Sequence, residues 1–170
     1  MMFWLFMLLL VPASDVSPSV SPAQSALAKD RYSTVAFDPT ADAQRQLESH
    51  LDRAKATDRK LLVIMGANWC HDSGALANVI DTPRFAEVIA QNYELLFVDV
   101  GVPQTGNGRN LDIAKRFGIK KVKGTPLVMI VSPDGKLLNS KKEAASWRNA
   151  ASRSENDIFR YFAEFKPSAS

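Results

Sequence analysis

Two short apolar runs, residues 61–65 (LLVIM) and 95–100 (LLFVDV), set the narrowest limits on what this chain can fold into. Neither has a helical period and the first has no polar residue, so each reads as a strand covered on both faces. Between them the spacing is helical. Ala75, Leu76, Val79 and Ile80 share one face, and Thr82-Pro83 then caps and opens a second amphipathic stretch with Phe85, Val88 and Ile89 inward. Two buried strands joined through helix make a parallel β-α-β crossover, which needs helices on both faces of its sheet.

The flanking segments extend this unit. Asp38-Pro39 predicts a helix start, and Ala43, Leu47, Leu51 and Ala54 recur on one face towards an end near Thr57. Residues 101–110, rich in Gly and Asn, form a predicted loop, followed by a short helix over 111–117 stopped by Gly118. The turn Ser132-Pro133-Asp134-Gly135 predicts an antiparallel hairpin between Leu127–Val131 and residues 136–139. Ser154 with Asp157 opens a last helix lined by Ile158, Phe162 and Phe165. The expected order α-β-α-β-α-β-β-α is a three-layer α/β/α sandwich with a mixed central sheet and a β-hairpin.

Ahead of this domain, residues 1–11 (MMFWLFMLLLV) are apolar without interruption. The run suits a signal-peptide core but falls short of the ~20 residues that span a bilayer. Small-residue cleavage sites follow at Val11-Pro12-Ala13 and at Ala26-Leu27-Ala28, whereas the basic residues that normally precede such a run are missing, Lys29 being the first. Residues 1–28 therefore read as a signal peptide with a Ser/Pro-rich segment, or, if uncleaved, as a membrane tether through residues 3–11. Residues 29–170 are the folded domain, expected to be exported: periplasmic or otherwise extracytoplasmic.

Charge and cysteine content exclude several functions. The 21 basic and 18 acidic residues are interspersed, so no nucleic-acid stripe is expected. Cys70 is the single cysteine, which rules out an intramolecular disulfide, a Cys-rich zinc site and a cysteine-held iron–sulfur cluster. It lies in Trp69-Cys70-His71-Asp72-Ser73, where the first buried strand gives way to a helix. Unpaired N–H groups and the helix dipole there favour a thiolate, lowering a cysteine pKa from ~8.5 into the ~3.5–7.5 range. His71, if protonated, adds to this effect and Asp72 opposes it. Ser73, one turn on, can donate to the sulfur.

A hydrophobic strand running into Trp-Cys-x-x-Cys/Ser at a helix start, with Gly124-Thr125-Pro126 later before a strand and hairpin, resembles the thioredoxin family. The likeness covers roughly residues 40–165. It implies that Pro126 is cis and lies against Cys70, and that Thr125 offers its backbone to an extended substrate segment, with Trp69 beside it. The chain departs from the family twice. Ser73 replaces the second cysteine, so the two-electron dithiol cycle is closed to it. Ile64 stands where thioredoxins carry a buried acid that serves the second thiol.

Three roles for Cys70 follow from the residues and the resemblance. In the first, its thiolate exchanges with disulfides or mixed disulfides of client proteins, as an isomerase or in removing thiol adducts, and an external thiol such as glutathione releases it. No resident cofactor or metal is expected. In the second, the domain is a non-catalytic module that holds extended peptides on Trp69, Thr125 and Pro126. In the third, Cys70 is a small buried hydrophobe. Weaker candidates are His50, expected on a solvated helix face, and Gly106-x-Gly108, which lacks the setting of a phosphate loop. Trp147-Arg148 fits packing over a sheet edge. The basic run Arg116, Lys120, Lys121 and Lys123, just before Gly124, suits either a solvated loop or acidic substrates. The sequence leaves the oligomeric state and the electron donor open.

Overall fold

The computed structural model describes residues 36–167, so the readings of residues 1–28 as signal peptide or tether lie outside the described residues. In chain order the larger elements run α1 (Ala43–Thr57), β1 (Lys60–Gly66), α2 (His71–Ile80), α3 (Pro83–Asn92) and β2 (Tyr93–Asp99). Then follow β3 (Gly101–Val102), β4 (Asn107–Gly108), α4 (Leu111–Arg116), β5 (Leu127–Val131), α5 (Lys141–Ser146) and α6 (Glu155–Ala163). Strand β1 is central. It pairs parallel with β2, Val63 beside Leu96, and antiparallel with β5, Val63 beside Met129. The order β2-β1-β5 is a mixed sheet.

Alternation along β1 divides the core into two layers. Leu61, Val63 and Met65 pack with Leu47 and Ala54 of α1, Ile113 of α4 and Ala144 of α5. Leu62 and Ile64 pack with Leu76 and Ile80 of α2, Phe85 and Ile89 of α3, and Phe162 of α6. This explains the unbroken apolar run, since each such side chain taken fully out of water contributes roughly 1.5–3 kcal/mol. The α/β/α sandwich expected from the sequence is the fold observed.

Several boundaries differ from expectation, each for a local reason. Helix α1 starts at Ala43, with the Asp42 carboxylate accepting from the Arg45 N–H at 3.1 Å, and not at Asp38-Pro39. The Asp38 carboxylate is already used in a turn, accepting from the Thr40 N–H at 2.8 Å and its hydroxyl at 2.7 Å. Thr82 occupies the N-cap of α3, yet its hydroxyl donates back to the Val79 carbonyl at 2.8 Å. Residues 101–110 are more than a loop, for β3 and β4 pair as a small ribbon around a 3-10 turn at Pro103–Thr105.

The predicted hairpin is half formed. After the turn, where Gly135 takes φ 78°, the chain makes a single bridge between Val131 and Leu137. Asn139 supplies the reason, because its buried amide accepts from the Ile130 N–H at 2.9 Å and donates to the Val128 carbonyl at 2.9 Å. Backbone pairing runs only as far as the Leu138 N–H, which donates to the Ile130 carbonyl at 2.7 Å, and the Asn139 side chain carries it on from there. Next, Ser140 caps α5 by accepting from the Glu143 N–H at 3.1 Å, and a 3-10 turn (Trp147–Ser152) follows. Sequence periodicity misses α5, although Ser140-x-x-Glu143 is the pattern of a capping box. Trp147 lies inside the core rather than at an edge, wholly buried and stacked on Phe162 at 5.3 Å. His50 is half-buried near Glu94 instead of on a solvated face.

Candidate active site

The end of β1 is built for close approach. A Cβ at Gly66 would stand 2.6 Å from Ser73 Oγ and 2.7 Å from the Phe37 ring, so the glycine lets the start of α2 sit directly on the sheet. Asn68 then ties the turn to the incoming chain, donating to the Phe37 carbonyl at 2.7 Å and accepting from its N–H at 3.3 Å. Cys70 follows as the N-cap of α2, with extended φ −86° and ψ 119°. Its side chain is part-exposed, so the sulfur meets both solvent and the fold.

The segment leading into β5 closes over the sulfur. The Thr125–Pro126 bond is cis, both residues are buried, and the Cys70 thiol donates to the Thr125 carbonyl at 3.4 Å. Burial alone would push the Cys70 thiol up. Hydrogen bonds from the Ser73 and Thr125 side chains, and then from the Ser73 and Asp72 backbone, outweigh it and hold the thiol below its ordinary value. Ser73 is fully buried, and its Oγ has no other hydrogen-bond partner of ordinary geometry. Its hydroxyl is therefore available to the sulfur, and a thiolate gains more from it than a thiol.

The remaining predicted site residues surround this pair. Trp69 is 54% exposed, the one large hydrophobic side chain so exposed among the described residues. It is nevertheless fixed, because its indole N–H donates to the Gly101 carbonyl at 2.9 Å. His71 is exposed at the first turn of α2. Asp72 points its charge away from a free role, its carboxylate accepting from the Ala151 N–H at 2.9 Å. Cys70, Ser73, Trp69, His71, Thr125 and Pro126 are thus gathered at one end of the sheet.

Some residues of this neighbourhood escape sequence reasoning. Buried Asp99 accepts from the Gly101 N–H at 2.9 Å and lies 3.4 Å from Arg109 Nε, which fixes the carbonyl that holds Trp69. Gly101 has φ 61°, and a Cβ there would meet the Asn107 carbonyl at 2.5 Å. Only the glycine in an Asp-Val-Gly run hints at this. Arg148, which the sequence singles out beside Trp147 but gives no role at the site, lies along Gly124, its Cβ and Cδ each 3.4 Å from where a Gly124 Cβ would stand. Among the described residues no group of three His, Cys, Asp or Glu is placed to hold a metal ion.

Comparison with known proteins matches this arrangement. A family profile described as thioredoxin-like covers residues 42–133, from the first turn of α1 through the turn after β5. The chain belongs to the thioredoxin-like family. A solved structure described as a disulphide isomerase from Xylella fastidiosa Temecula1 is 31% identical, with a TM-score of 0.69 over 77% of this chain and 96% of that one. Among curated proteins, a search by sequence finds no match. In this thioredoxin-like chain the Cys70 helix start and the cis Thr125–Pro126 bond face each other as the family resemblance implies. Thiol–disulfide exchange is the general chemistry that such a site supports.

Proposed function

We propose that this thioredoxin-like protein performs thiol–disulfide exchange through one cysteine, in the cell envelope, on disulfides or mixed disulfides of client proteins. The observation that carries the reading is the Cys70 sulfur at a helix N-cap, part-exposed, held towards the thiolate and facing the cis Thr125–Pro126 segment. Cys70 is the nucleophile. Ser73 and, when protonated, His71 favour its thiolate, and Trp69, Thr125 and Pro126 receive the chain that bears the disulfide. The thiolate attacks one sulfur of the substrate, the S–S bond breaks, a Cys70 mixed disulfide forms, and the other sulfur leaves as a thiolate that takes a proton from water. Ser73 has no sulfur with which to resolve the adduct. A second thiol, from glutathione or from the client itself, attacks the mixed disulfide and frees Cys70. The net result is isomerisation or removal of an adduct, with no resident cofactor.

An envelope location is supported by the apolar run at residues 1–11 and by the likeness to a protein described as a disulphide isomerase. The exposed indole of Trp69 also favours a second reading, a module that holds extended peptides with Cys70 idle. Mass spectrometry of the protein mixed with a disulfide-bearing client separates the two. Exchange predicts a covalent adduct on Cys70 that persists until free thiol is added and that Cys70→Ala abolishes. If the adduct never forms, and Cys70 alkylates near about pH 6 no faster than an ordinary thiol of pKa ~8.5, the exchange reading fails. Peptide affinity surviving Cys70→Ala would then leave the holding module.

A further inference from the structure

The approach to the cis Thr125–Pro126 segment is cationic, and this bears on which disulfides the site takes. Ile119 and Val122 pack into the core, which leaves Lys120, Lys121 and Lys123 exposed on the strip that ends at Gly124-Thr125-Pro126. Arg116, at the far end of that basic run, is occupied by the Glu48 carboxylate. Beside the strip stands Arg148. It is exposed, and its stem lies on Gly124, one residue from the carbonyl that receives the Cys70 thiol at 3.4 Å.

The 3-10 turn that carries Arg148 is anchored from both sides. Trp147 is buried against Phe162, and the Ala151 N–H is bound by the Asp72 carboxylate at the start of α2. That second contact also occupies the nearest acid in the motif. Among the described residues none of Lys120, Lys121, Lys123 and Arg148 has a carboxylate within ion-pair distance, although the fold pairs Arg53, Arg59, Arg84, Arg109, Arg116 and Arg160 with acids. An exposed guanidinium whose stem lies along Gly124 suits a carboxylate, which it can take through two parallel hydrogen bonds.

We propose that Arg148, backed by Lys123, is the anion-receiving edge of the Cys70 site, and that the disulfides it selects carry a carboxylate close to the sulfur. This rests on the exchange reading above and names its substrate class. Two sources supply that chemistry: a glutathionyl adduct, and an acidic stretch of a client protein. The step itself is unchanged. The Cys70 thiolate breaks the substrate S–S bond, forms the mixed disulfide and expels the second sulfur as a thiolate, while Arg148 holds the carboxylate alongside.

The test follows the rate at which Cys70 of the full chain is consumed by small disulfides of different charge. Glutathione disulfide is the anionic probe, hydroxyethyl disulfide the neutral one and cystamine the cationic one. The ratio of the glutathione disulfide rate to the hydroxyethyl disulfide rate is expected to fall roughly two- to fivefold in Arg148→Gln, as fits one exposed charge pair. Lys123→Gln should lower it by less, Arg148→Lys should restore part of it, and added salt should shrink the difference. The cystamine ratio should move the opposite way. Disulfides of a cysteine peptide flanked by aspartates, against the same peptide flanked by asparagines, tell the sources apart: a response confined to glutathione marks the adduct, and one that includes the peptides marks the client. A ratio that is the same in all variants, or that falls equally for all three charges, overturns the proposal while leaving exchange intact. Failure of Cys70 to react even with hydroxyethyl disulfide overturns both.

Discussion

At the scale of single residues, Ser73 is the part of the site whose replacement is most informative. Standing where a dithiol protein would carry its second cysteine, it is wholly buried, and its hydroxyl is without another hydrogen-bond partner. Ser73→Ala therefore removes a donor from the Cys70 thiolate while leaving no other polar group unpaired. The midpoint of Cys70 alkylation against pH should move upward. A downward or unmoved midpoint would show that the backbone N–H groups and Thr125 hold the thiolate without Ser73. The residues of the motif itself were legible because strand, turn and helix start are local in sequence, and each fixes the next. Arg148 and Asp99 were not, since Arg148 reaches Gly124 only through the fold and Asp99 acts through a ribbon whose pairing the sequence does not signal.

Among elements, the two strands with unbroken apolar runs were the most legible and the hairpin the least. Strand β1 has no choice, being covered on both faces. The segment after Gly135 was expected to be a strand because a Pro-Asp-Gly turn normally returns one, yet Asn139 captures the Ile130 N–H and the Val128 carbonyl with its side chain. An amide that continues a ladder where the backbone leaves it makes a strong prediction. Asn139→Ala strands one buried donor and one buried acceptor on β5, the strand that begins directly after Pro126, and should lower unfolding free energy by about 2–4 kcal/mol. Equilibrium urea denaturation measures this. A loss below about 0.5 kcal/mol, the size usual for surface substitutions, would mean that the backbone beyond Leu138 takes over the Ile130 N–H and the Val128 carbonyl once the amide is gone. Helix α5 was invisible for another reason: Lys141–Ser146 has only Ala144 buried, and a periodic apolar face is what sequence reading detects.

The molecule as a whole keeps its reactive end and its main buried charge cluster at opposite ends of the sheet. Cys70 lies beyond the Gly66 end of β1, past the turn Ala67-Asn68-Trp69, whereas Glu94, near the start of β2, pairs across from Leu61 at the other end. There Glu94 is buried between Arg59 and Arg53, the latter at 3.3 Å, with His50 Nδ1 at 3.9 Å. The two guanidiniums already satisfy the carboxylate, so it does little for His50. Burial and then the charge of Arg53 push His50 from 6.5 down to about 4. In the unfolded chain it returns to the ordinary value, so between these limits the unfolded state binds a proton that the folded state refuses. Stability must therefore fall as pH drops below 6.5 and stop falling from this source below about 4. At about pH 5 the loss attributable to His50 is about 2 kcal/mol relative to neutral pH. Urea denaturation of the wild type and of His50→Gln at both pH values isolates it, since the variant keeps every other titrating group but lacks this one. The wild type should lose more stability than the variant on acidification, while the alkylation profile of Cys70 stays the same in both, because the sheet separates the two sites. Equal acid sensitivity in the two proteins would place the proton on another group and free His50 from any part in stability.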